Sequence, residues 1–113
     1  MLEYLFSNKN VEKILTYLLV HGRCYATELS RVFRSSLDPI QKTLAKLERG
    51  GLLHSYLEGR TRVFAWNPDY PMLKEIQALA RKLYQCLPQE IRRRIEVARD
   101  TLLAETQQRL AGS

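Results

Sequence analysis

The spacing of apolar residues changes twice along this 113-residue chain, and those changes constrain its fold more than any other feature. Up to about residue 50, and again after residue 72, apolar side chains recur every three or four positions, as in amphipathic helices. Between residues 52 and 67 they follow the alternation of extended strands instead. The sequence therefore predicts a mainly α fold with a small two-stranded β-ribbon between two helical regions.

Two helices and a tight turn are predicted in the first 36 residues, ahead of a third helix. The first helix begins near Asn8 or Asn10 and stops at Gly22, because glycine readily takes the left-handed conformation that closes a helix. The second helix covers residues 26–33, and residues 34–36 form the turn. A turn this short lets the second helix brace the one that follows.

A third helix is predicted from a cap at Ser36 to about Arg49, with Pro39 in its first turn, where no intrahelical hydrogen bond is lost. Two strands follow, at 52–58 and 62–67, with a hairpin turn between them. Helices are then expected over 73–87 and from Pro88 towards the C-terminus. The chain divides accordingly into 1–71 and a C-terminal helical region, 72–113.

Three helices followed by a β-ribbon is the element order of a winged helix-turn-helix, in which the third helix can lie in the major groove of DNA. Glutamine can pair with adenine there, and lysine or arginine with guanine or phosphate. An arginine at the ribbon tip can enter a minor groove. The predicted DNA-binding residues are Ser36, Asp38, Pro39, Gln41, Lys42, Lys46, Arg49, Arg60 and Arg62.

The charge of the chain agrees with this prediction. Lysine and arginine number 18 against 12 acidic residues, which gives a net charge of +6 and favours contact with a polyanion such as double-stranded DNA. Asp38 is the exception on the third helix, since it repels phosphate unless it accepts a hydrogen bond from cytosine.

Four segments resemble winged-helix transcriptional regulators of the ArsR/MarR-like class, in particular a prokaryotic subgroup often found beside nucleotidyltransferases. They are LFSNKNVEKIL (5–15), TEL (27–29), LAKLERGGLL (44–53) and EGRTRVFAWNPDYPMLKEIQAL (58–79). The resemblance implies a protein that binds DNA as a homodimer and acts as a repressor or autoregulator.

Apolar stripes in the C-terminal region predict where two copies meet. Their spacing of three and four residues suits packing against a partner helix. The predicted dimerisation residues are Leu73, Ile76, Leu83, Leu87, Ile91, Ile95, Ala98 and Leu102.

Other classes of function find little support in the sequence. The third helix has no cysteine or histidine and the last has no histidine, so neither metal set of ArsR-like sensors is present, and we expect no metal or cofactor. Catalytic motifs such as GxSxG, HExxH or a P-loop are missing, which predicts that the chain is not an enzyme. The N-terminus lacks the pattern of a secretory signal, and no apolar run is long enough to span a bilayer, so we expect the protein in the cytoplasm. Cys24 and Cys86 are expected to be reduced thiols.

One alternative remains open at this level. The same fold could serve as a protein-interaction module, an adaptor or antitoxin-like partner of a toxin or nucleotidyltransferase. The basic run Arg92, Arg93 and Arg94 would then hold an acidic partner. Salt dependence of DNA binding distinguishes the two, because an adaptor has no reason to show a steep salt slope.

Overall fold

The computed structural model describes residues 8–98. Within them the chain is mainly helical, with a small three-stranded antiparallel sheet. The elements in chain order are α1 (Lys9–His21), β1 (Arg23–Cys24), α2 (Ala26–Phe33), α3 (Leu37–Arg49), β2 (Leu53–Glu58), β3 (Thr61–Trp66), α4 (Leu73–Cys86) and α5, helical over 89–98.

The helix ends lie where the sequence predicts them. The Asn8 side chain caps α1 by accepting a hydrogen bond from the Asn10 N–H at 2.8 Å. Gly22 ends the helix with φ 76°, and its N–H donates to the Leu18 carbonyl. Ser36 occupies the N-cap position of α3 as predicted, but its side chain makes no capping hydrogen bond.

The predicted two-stranded ribbon forms as β2 and β3, but a third strand that the sequence did not predict joins it. The two residues of β1 pair with β3, Arg23 opposite Ala65 and Cys24 opposite Phe64. The strand order is β1-β3-β2, with β3 in the centre. Two residues are too few to show an alternating pattern, and only the tertiary approach of β3 makes them a strand.

The β2–β3 hairpin is fixed at both of its ends. At the tip, Glu58 pairs with Thr61, and Gly59 takes φ 64°, a left-handed conformation that suits glycine. At the base, the Asn67 side chain donates to the Gly51 carbonyl at 2.8 Å. Trp66 joins the hairpin to α1, since its Nε1–H donates to the Leu18 carbonyl at 3.2 Å.

One apolar core unites the described elements. Helix α1 contributes more buried side chains to this core than any other described element, and every other described element adds to them. The buried apolar residues include Ile14, Leu15, Tyr17, Leu18, Cys24, Leu29, Ile40, Leu44, Leu53, Phe64, Ala80, Leu83, Ile95 and Ala98. Because α4 and α5 share this core, residue 71 marks a change of elements and not a boundary between separate cores.

This packing corrects part of the predicted dimerisation surface. Leu83, Ile95 and Ala98 are buried in the core of their own chain, with exposures of 5%, 0% and 5%. In this conformation they are not available to a partner. The half-buried Leu73, Ile76, Leu87 and Ile91 pack against the same core, and Leu102 lies outside the described residues. Dimerisation itself stays a prediction.

None of the helices between residues 8 and 98 combines the length and apolarity needed to cross a membrane.

Candidate nucleic-acid interface

All nine residues predicted to bind DNA are exposed, and they lie on two neighbouring elements. Seven belong to α3 and its N-cap, and two belong to the β2–β3 hairpin. The inward face of α3 is buried through Ile40, Thr43 and Leu44, which anchor it to the core. The polar face is thus held outward by the same amphipathic pattern that fixes the helix.

A groove of about 520 Å³ separates α3 from the hairpin. Gln41 lines it from the helix, and Arg60 and Arg62 line it from the hairpin. The start of α2 also lines it, through the N-cap residue Tyr25 and through Ala26 and Thr27. The fold therefore brings together a possible base-reading amide and two guanidinium groups that lie about 20 positions apart in the sequence.

A second groove, of about 490 Å³, runs along the other side of α3. Its cationic side chains are Lys42, Lys46 and Arg49, and Pro39 and Asn8 complete much of its lining. The exposed face of α3 is consequently a ridge between two concave surfaces. A ridge of this kind has the shape that a major groove accepts.

The acidic residues of this region are each engaged by a neighbour. Asp38 forms an ion pair with Lys42, one helical turn away, at 3.0 Å. Glu58 pairs with Arg23 of β1 at 3.3 Å. Glu48 accepts a hydrogen bond from the Ser55 hydroxyl. Because both ion pairs are exposed to solvent, they contribute little to stability, but they do offset charge locally.

Three cations of the candidate interface have no such partner. In the part of the chain that the structure describes, Lys46, Arg49 and Arg60 form no ion pair. Arg62 is partly held, since its Nη1 donates to the Ser55 hydroxyl at 2.9 Å. The positive charge available to an anion is therefore concentrated at the C-terminal half of α3 and at the hairpin tip.

Polar contacts hold α3 and the turn before it against α1. Asn8 Nδ2 donates to the Thr43 hydroxyl at 2.8 Å, and that hydroxyl donates to the Pro39 carbonyl. Lys13 donates to the Ser35 hydroxyl in the turn at 2.7 Å. Burial, and then the charge of Lys9, lower the pKa of Lys13 below its ordinary value. The helix that carries the candidate interface is thus positioned by hydrogen bonds as well as by its apolar face.

The sequence interpretation missed the contribution of α2. Thr27 is exposed in the first turn of that helix and lines the groove beside Gln41. The free N–H groups of a helix start favour anions, so a hydroxyl in the first turn was the available signal. Arg23 was missed too, because its ion pair with Glu58 depends on the unpredicted strand β1.

Metal-binding side chains do not gather in the described region. Between residues 8 and 98, no three His, Cys, Asp or Glu side chains lie together as metal ligands would. Cys24 is buried, and this burial raises the pKa of its thiol to about 12. Cys86 is exposed at the end of α4.

Comparison with family models, with curated proteins and with solved structures gives no match to this chain.

Proposed function

We propose that this chain is a winged helix-turn-helix transcriptional regulator that binds double-stranded DNA in a sequence-specific manner. One observation carries the proposal: the exposed face of α3 and the hairpin tip present unpaired cations around grooves on both sides of one helix. In this proposal α3 is the recognition helix and the β2–β3 hairpin is the wing.

The two elements would have different tasks. Gln41 and Lys46 stand on the ridge of α3, where they can reach base edges in a major groove. Arg60 stands at the wing tip and would contact the phosphate backbone or a minor groove, which carries little sequence information. Arg49, at the end of the ridge, would add a phosphate contact.

We further propose that the chain works in the cytoplasm as a homodimer and acts as a repressor or autoregulator of transcription. Two copies related by a two-fold axis would read two halves of a palindromic site. Since Leu83, Ile95 and Ala98 are buried internally, the half-buried residues Leu73, Ile76, Leu87 and Ile91 remain the candidates for the contact. Light scattering at micromolar concentration tests this state, and a monomer there would contradict it.

Selection of bound sequences from random duplex DNA, followed by a salt titration on the winner, tests the proposal. We expect log Kd to change linearly with log salt, because each neutralised phosphate releases counterions. Lys46→Gln and Arg49→Gln should each weaken binding severalfold and reduce the slope by about one. Lys74→Gln removes the same charge from an exposed position on α4 and is the matched control.

The alternative function, a protein-interaction module, has a different outcome in the same experiment. An adaptor that kept only the fold would enrich no sequence. Its weak binding to any duplex would fall equally with Lys46→Gln and Lys74→Gln, because only net charge would matter. Such a result would refute DNA recognition through α3.

A further inference from the structure

A third groove lies away from the proposed DNA interface, between α2 and α5. It has a volume of about 500 Å³, and four arginines line it. Arg31 and Arg34 come from the end of α2 and the turn after it, and Arg93 and Arg94 come from α5. Four arginines therefore line one small space, and the mutual repulsion of their charges would be relieved by an anion.

Among the described residues that line the groove, one acidic side chain, Glu28, balances this cluster. Glu28, also in the lining, is 2% exposed and accepts hydrogen bonds from Arg31 and from the Tyr25 hydroxyl. The other three arginines form no ion pair within residues 8–98. The groove is therefore left with an excess of positive charge after its internal pairing.

Arg94 points to an anionic ligand independently of the charge of the groove. Its Nε is buried and has no hydrogen-bond partner in the described chain. Buried N–H groups without an acceptor are rare in folded proteins because each one costs free energy. An anion in the groove could supply acceptor atoms to the Arg94 guanidinium as a whole.

The floor of the groove is apolar and the space is limited. Val32 and Ala98 are buried beneath it, whereas Val97 is 55% exposed at its side. A volume near 500 Å³ falls in the range of small-ligand sites. The planar fork of arginine matches phosphate oxygens in pairs, which a single lysine charge does not.

We propose that this groove binds a small phosphorylated molecule, with Arg34, Arg93 and Arg94 holding its phosphate groups. The site is separate from α3 and from the hairpin tip, and its ligand would bind in the absence of DNA. The inference is thus independent of the proposed function.

Isothermal titration of the full chain with inorganic pyrophosphate tests the proposal, with DNA absent. We expect Arg34→Gln and Arg93→Gln each to weaken binding by about threefold to tenfold, because each removes a charge-assisted hydrogen bond at an exposed site. Arg81→Gln removes the same charge from an exposed position on α4 outside the groove, and should leave affinity nearly unchanged. Arg94→Lys, which keeps the charge but loses the fork, should also weaken binding.

Thermal unfolding provides a second measurement that exposes any folding defect in the variants. Pyrophosphate should raise the Tm of the wild-type protein and of Arg81→Gln, and raise it less in the three groove variants. Equal weakening by Arg81→Gln would reduce the effect to net charge and overturn the proposal. An absence of pyrophosphate binding would also overturn the proposal. Binding of hexaglutamate in place of pyrophosphate would overturn it too, because the groove would then be a docking surface for an acidic protein segment.

Discussion

The cations of the candidate interface differ in their surroundings although the sequence presents them alike. Lys42 is paired with Asp38 and Arg62 is bonded to Ser55, whereas Arg60 has no ion pair within residues 8–98. A residue that must first leave a partner contributes less to binding than one that is free. Replacing Arg60 should therefore weaken DNA binding more than replacing Lys42 or Arg62.

Replacing Gln41 or Arg60 by alanine should weaken DNA binding in different ways. Gln41→Ala is expected to cost about 1 to 3 kcal/mol on the preferred site and to relax discrimination at particular base pairs. Arg60→Ala should weaken binding to preferred and random duplexes alike and lower the salt slope by about one. Fluorescence anisotropy on both duplexes at several salt concentrations measures this. Equal loss from both variants on every duplex would mean that α3 reads no bases.

The two cysteines should differ in reactivity. Burial raises the pKa of Cys24 from 9.0 to about 12, so its thiol stays protonated at neutral pH, whereas Cys86 is exposed. A thiol reagent at pH 8 should modify Cys86 alone in the native protein and both cysteines in denaturant. Loss of the reaction in Cys86→Ser identifies the reactive thiol, and rapid native modification of Cys24 would contradict the burial.

Stability should also depend on Cys24 at high pH. The pKa of the Cys24 thiol is higher in the folded protein than in the unfolded chain. The full contribution of Cys24 to stability is therefore present below about pH 9 and is lost between pH 9 and about 12. The free energy of unfolding should fall by up to roughly 1.4 kcal/mol per pH unit in that window from this group. Urea unfolding of the wild type and of Cys24→Ala isolates the contribution, since the variant should show a shallower decline.

At the scale of the element, the end of α1 depends on one backbone conformation. Gly22 has φ 76°, and a Cβ added there would meet no atom within 4 Å. Gly22→Ala should therefore destabilise the fold by about 1 kcal/mol through backbone strain alone. Gly50, with φ −76°, is the matched control, and its replacement by alanine should be neutral or slightly stabilising. Denaturant unfolding measures the stability of both variants. Equal effects at the two glycines would contradict the prediction.

At the scale of the whole molecule, α5 belongs to the core of its own chain. Ile95 is 0% exposed, and on the same helix Val97 is 55% exposed. Ile95→Ala should lower the free energy of unfolding by about 2 to 5 kcal/mol, and Val97→Ala by less than about 0.5 kcal/mol.

Urea unfolding at two protein concentrations shows whether this loss arises within one chain. The cost of Ile95→Ala should be independent of concentration if Ile95 packs internally. A cost that shrinks or grows with concentration would place Ile95 at a contact between copies instead.

The sequence predicted the exposed site residues because they lie on amphipathic elements. Once Ile40 and Leu44 mark the buried side of α3, the 3.6-residue period places Gln41, Lys42 and Lys46 outside. It did not predict which cations are free, nor that Tyr25 and Thr27 line the same groove. Those properties depend on distances between elements, and no local period encodes them.

Local sequence signals specify the helices, the hairpin and their ends. Glycine, proline and capping residues act on their immediate neighbours, so Gly22 and Gly59 could be assigned from local chemistry. By contrast, the strand of Arg23 and Cys24 and the core positions of Ile95 and Ala98 follow from long-range packing. Both depend on contacts across 40 or more positions, Arg23 with Ala65 and Ile95 with α1 through His21. An apolar stripe shows that a helix face will be buried. Burying that face releases the same free energy whether it packs on its own chain or on a partner. The stripe therefore does not say which of the two surfaces covers it.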